Sequence, residues 1–128
     1  MISGVALEFH DSEVAEVGLC GRDVVVRFSA GYVHRTGTGE GAGFLQSLEL
    51  VCLDVDDWSQ ESGCVGRLSE GTLQIDGERL AMVPVPWEAH APTMLSLTFA
   101  NGAACEVRSR GMRLQPVGEA RFVEWLRC

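Results

Sequence analysis

Two tight-turn dipeptides, each between runs of alternating apolar and polar residues, set the strongest limit on what this chain can become. Asp76-Gly77 separates Thr72-Leu73-Gln74-Ile75 from Arg79-Leu80-Ala81-Met82. Asn101-Gly102 separates Leu95-Ser96-Leu97-Thr98-Phe99 from Cys105-Glu106-Val107-Arg108. Such dipeptides supply the positive φ angles of a two-residue hairpin turn, and the flanking period of two places apolar side chains on one face. Both signals predict antiparallel strands.

The rest of the chain extends that pattern. Val5, Leu7 and Phe9 share one face of a first strand. His10-Asp11-Ser12 reads as a turn, because Asp and Ser side chains bond nearby backbone amides. For Ser12 to Leu19, Gly18 and the β-branched valines favour strand over a short helix. Val24, Val26 and Phe28 mark another strand, continuing through Tyr32-Val33-His34-Arg35. Thr36 to Gly43 carries glycine at every second position from Gly37 and predicts a mobile loop. Leu45 to Leu53 predicts a strand, and the acidic segment Asp54 to Ser62 a loop. Val83-Pro84-Val85-Pro86 lacks two amide donors and belongs at an edge or in a connector. Leu95–Phe99 and Ala104–Arg110 predict the second hairpin, with Glu106, Arg108 and Arg110 toward water. Glu119 to Arg127 reads as a short helix, with strand as the alternative. The expected fold is therefore all-β in one domain. It is an antiparallel sandwich or open barrel of about 7–9 short strands with a short C-terminal helix.

Length and charge restrict the function classes. A chain of 128 residues buries a core without staples. With 18 acidic and 10 basic side chains its net charge is −8, which repels phosphate backbones and anionic membranes. No nucleic-acid or membrane partner is expected; a basic protein or a homodimer partner is. All ten basic residues are arginine, so mechanisms needing a Schiff-base or P-loop lysine are excluded. Five cysteines are odd in number and form no C-x-x-C pair, which argues against a disulfide scaffold or zinc ribbon. The first residues carry no basic or long apolar run, and a reducing cytoplasm is the expected location.

Few residues invite chemistry. The glycine run lacks Gly-Lys-Ser/Thr and G-x-G-x-x-G, so no phosphate loop or cofactor is expected. Asp54-Val55-Asp56-Asp57 lacks the EF-hand order, and no histidine pair has ligand spacing, so no metal is expected. Trp58 beside Asp54, Asp56 and Asp57, and Trp87 after the Pro-Val-Pro connector, are candidate contact residues for a protein partner. The alternative is a small enzyme or ligand-binding barrel whose pocket gathers His10, Asp11, His34 and Arg35. Arg108, Arg110 and Arg113 are candidates for an anion- or partner-binding patch.

Three stretches carry a family likeness: Leu7-Glu8-Phe9-His10-Asp11-Ser12, Arg27 to Arg35, and Gly118-Glu119-Ala120-Arg121-Phe122-Val123-Glu124. Through them the chain resembles a group of small bacterial proteins with an early H-D-S turn and a late glycine-glutamate segment, to which no activity is attached. The resemblance implies a bacterial source and a compact β fold. Size and acidity are also similar to some toxin-immunity proteins, an analogy that favours the non-catalytic, protein-binding reading.

Overall fold

Alternating apolar residues over most of the chain leave little that can form anything but strands. The computed structural model describes residues 4–36 and 41–126. They form ten antiparallel strands: β1 (Gly4–Cys20), β2 (Asp23–Thr36), β3 (Gly41–Gln60), β4 (Gly66–Ile75), β5 (Glu78–Leu80), β6 (Met82–Pro84), β7 (Trp87–Ala89), β8 (Thr93–Phe99), β9 (Ala104–Pro116) and β10 (Arg121–Leu126). β5 and β6 are separated only by Ala81, so they count equally well as one interrupted strand.

Six strands close a barrel in the order β3-β2-β1-β4-β8-β9, with β9 returning to β3. The sheet closes because β3 is long enough to serve two neighbours. Its residues Val24-paired Cys52 through Leu48 also face β9, from Leu48↔Pro116 to Gln60↔Cys105. Closure removes the exposed edges an open sheet would leave. The strands β5, β6, β7 and β10 are added to the wall.

The interior is filled by the inward residues the alternation marked. Val24, Val26, Leu48, Leu50, Leu95 and Leu97 are at most 1% exposed. Phe9 and Phe28 meet with ring centroids 6.4 Å apart. Each such side chain contributes about 1.5–3 kcal/mol on burial. Cys52 and Cys105 lie in this interior as free thiols. Burial, first among several causes, pushes the Cys52 thiol up to about 12 and that of Cys105 up to about 11.

Several segments differ from the sequence expectation. Arg121–Leu126 is a strand, not a helix, and pairs with Gly41–Leu45 of β3. That half of β3 extends beyond the reach of β9, and ladder pairing outweighs the weak helical preference of a short segment containing Phe122 and Val123. Asp54 to Gln60 is not a loop but the second half of β3. Its polar residues face outward, while Val55 and Trp58 pack on the core. His10-Asp11-Ser12 is not a turn between strands but a bend within β1. The loop expected over Thr36 to Gly43 falls partly outside the described residues, and Gly41 to Gly43 open β3.

The two hairpins form as expected, by different turns. Asp76 (φ 52°) and Gly77 (φ 83°) make a two-residue reversal between Ile75 and Glu78. Around Asn101-Gly102 only Gly102 has positive φ, at 92°. There the Phe99 amide donates to the Ala103 carbonyl, giving a three-residue loop ending in a left-handed glycine.

Candidate functional site

The barrel wall is interrupted where β1 bends. Asp11 adopts φ 67°, a left-handed backbone that Asp tolerates better than most residues. The β1–β2 ladder runs to Glu8↔Tyr32 and resumes at Glu13↔Ala30, so four residues of β1 lie opposite one of β2. On its other side β1 pairs with β6 only at Ala6–Glu8, and with β4 only at Glu13 and Val14. Between those contacts lies a seam. A side chain substitutes for the missing ladder: Ser12, fully buried, donates through Oγ to the Glu8 carbonyl (2.6 Å) and accepts from the Tyr32 amide (2.8 Å).

Over the seam lies a cleft of about 440 Å³ lined by Glu8, Phe9, His10, Glu70, Gly71, Thr72, Arg79, Leu80 and Ala81. Its floor is tight. A Cβ on Gly71 would stand 2.8 Å from the Phe9 Cβ and Cγ, so only glycine lets β4 approach β1 this closely. His10 bridges the two walls at 2.8 Å from Nδ1 to the Ser69 carbonyl. A carbonyl only accepts, so Nδ1 carries the hydrogen, and in the neutral ring Nε2 is an acceptor. Nε2 lies 3.5 Å from the Asp11 carboxylate, which Arg67 approaches to 3.7 Å. Glu8 accepts from His34 Nε2 at 3.1 Å, and the His34 ring stands edge-on to Tyr32 with centroids 5.0 Å apart.

The residues expected to share a pocket are thus partly gathered. His10 lines the cleft, Asp11 is beside it, and His34 orients Glu8 of the cleft. Arg35 goes elsewhere, because adjacent strand residues point to opposite faces. It stacks 4.7 Å over the Phe44 ring, beside a separate cavity of about 180 Å³ lined by Val5, Val33 and Pro86 among others.

The other candidate residues lie on a second bend, in β3. Asp54 (φ 52°) has its amide capped by the Asp23 carboxylate at 2.9 Å, and the Val55 amide reaches the Arg22 carbonyl at 2.8 Å. Arg110 holds Asp56 at 3.2 Å and Asp54 at 3.8 Å. Asp57 is exposed opposite Arg108. Trp58 is half-buried against the core; its Nε1 meets no nitrogen or oxygen acceptor and faces the Cys105 sulfur. Trp87 is also half-buried on the core and lines a shallow cleft with Arg113. The three arginines expected to form one patch are dispersed: Arg108 faces one cleft, Arg113 another, and Arg110 is bound to aspartates. Among the described residues no group of three or more His, Cys, Asp or Glu side chains is placed to hold a metal.

Glu8, Glu70, Arg79, Ser12 and Gly71 were not legible as site residues. A glycine inside the strand pattern Thr72-Leu73-Gln74-Ile75 extends backward is the one signal that marked a close backbone approach. No protein-family model, curated protein or solved structure matches this chain.

Proposed function

We propose that this protein is a binding module that takes a small ligand in the seam cleft between β1 and β4. The observation that supports this reading is the convergence of two carboxylates, an imidazole and a guanidinium on one concavity with an apolar floor, at the break in the barrel ladder. A concave, partly apolar site with few polar groups is the usual form of a ligand site. In this reading Leu80 and Ala81 contact the ligand body, while Glu8, Glu70, His10 and Arg79 fix its polar groups. His34 is a positioning residue, because it acts through Glu8. A protein partner docking at Asp54, Asp56, Asp57 and Trp58 has less support. Two of those carboxylates are engaged by Arg110, and the indole is largely committed to packing.

Amide chemical-shift mapping with a fragment library tests the reading. Shifts should concentrate at Glu8–Ser12, Glu70–Thr72 and Arg79–Ala81. A library that moves only amides of the β3–β9 wall, or none, overturns it.

A further inference from the structure

Resting on the seam reading, we propose that the ligand class is a zwitterion: a small molecule bearing an ammonium and a carboxylate on a short apolar chain. Glu70 on β4 and Arg79 on β5 line the same cleft with opposite charges. They do not pair with each other, and neither has an ion-pair partner among the described residues. Two opposite charges on neighbouring strands of one cleft, neither paired among the described residues, suit a ligand that spans them. Leu80 and Ala81 line the same cleft and match methylene groups rather than a second charge.

The balance of charge sets the polarity. Glu8 is already held by His34, so the carboxylate left to receive an ammonium is that of Glu70, with the guanidinium of Arg79 left for a carboxylate. Arg79 supplies the planar donor pair that a carboxylate accepts.

The test uses probes with the same four carbons: 4-aminobutyrate, butylamine and butyrate. Calorimetry and amide shift mapping are run on the full chain, and a series of ω-amino acids from glycine to 6-aminohexanoate covers chain length. The tightest ω-amino acid should bind at the seam about ten-fold more tightly than either four-carbon single-charge analogue. Glu70→Gln and Arg79→Gln should each remove that advantage. Both side chains are exposed, so melting temperature and circular dichroism should stay at wild-type values. Equal binding of butylamine or butyrate, or an advantage surviving both substitutions, overturns the zwitterion class. Absence of seam binding by the whole series also overturns it; unrelated fragments still shifting seam amides would then leave the cleft itself standing.

Discussion

Two aspartates bend two long strands, and the bends have opposite outcomes. Asp54 in β3 and Asp11 in β1 both sit in left-handed backbone, at φ 52° and 67°. At Asp54 the wall stays sealed. The β3–β9 ladder shifts by one residue between Val55↔Ser109 and Asp57↔Arg108 and resumes, while Asp23 caps the bent amide from the other side. At Asp11 four residues face one, and β4 has already turned toward β5 and β8. A bend therefore stays structural when one neighbouring strand follows it and the other side is capped, as β9 and Asp23 do at Asp54. It becomes a cleft when one neighbour leaves. Polar side chains that would have been solvated surface then converge.

The largest effect we expect comes from the sealed wall under alkali. Cys52 packs there between Val24 and Met112, and burial raises its thiol from the ordinary 9.0 to about 12. The folded state keeps the thiol neutral, whereas the unfolded chain ionises near the ordinary value. The resulting stability is complete below about pH 9 and is lost as pH rises toward 12, reaching about 4 kcal/mol. Urea midpoints measured from pH 8 to 11 should fall more steeply for wild type than for Cys52→Ala. Parallel slopes would show that the wall does not exclude water as described.

The seam floor comes next. Gly71→Val forces side-chain atoms into Phe9 and, 3.0 Å from the new Cβ, Leu97, at about 1–3 kcal/mol. Gly18→Val, with nothing within 4 Å of a Cβ, should change stability by less than about 0.5 kcal/mol. Similar effects at the two glycines would mean that β1 and β4 are not in close approach. Ser12→Ala should be destabilising by about 1–2 kcal/mol, since it removes the buried hydroxyl's bonds to the Tyr32 amide and the Glu8 carbonyl. Chemical denaturation measures all three, and Ser12→Ala should additionally speed hydrogen exchange at Tyr32. Unchanged exchange there would separate Ser12 from the seam.

Which parts of this were legible follows from how each signal arises. Inward positions such as Leu48, Leu50, Leu95 and Leu97 were readable because period-two alternation is a local property. Closure was not, because it depends on β3 meeting both β2 and β9 over a long range. The two bends mislead for one reason. Polar residues make His10-Asp11-Ser12 read as a turn and Asp54-Val55-Asp56-Asp57 as a loop, whereas both lie at bulges of strands that continue through them. Glu119 to Arg127 reads as helix first and strand second because the partner of Arg121–Leu126 lies some 80 residues away on β3. Three of the four pocket residues, His10, Asp11 and His34, come near the cleft, since the first two are on the bend and the third faces the strand beside it. Glu70 and Arg79 belong to other strands, and only the three-dimensional crossing of β4, β5 and β1 brings them there.

The smallest effect tests whether the two bends share one device. Replacing either aspartate by glycine removes a left-handed backbone penalty of about 1 kcal/mol. The same change removes exposed ion pairs, with Arg67 at Asp11 and with Arg22 and Arg110 at Asp54, each contributing between about 0 and 1 kcal/mol. The net change to glycine should therefore be close to zero at both sites. Alanine loses the same ion pairs but keeps the backbone penalty. The difference between the alanine and glycine variants isolates that penalty, and it should be about 1 kcal/mol at Asp11 and at Asp54 alike. Equal stability of alanine and glycine at one position would place that residue outside the left-handed region. The two bends would then have different origins, and the contrast between sealed wall and open seam would need another cause.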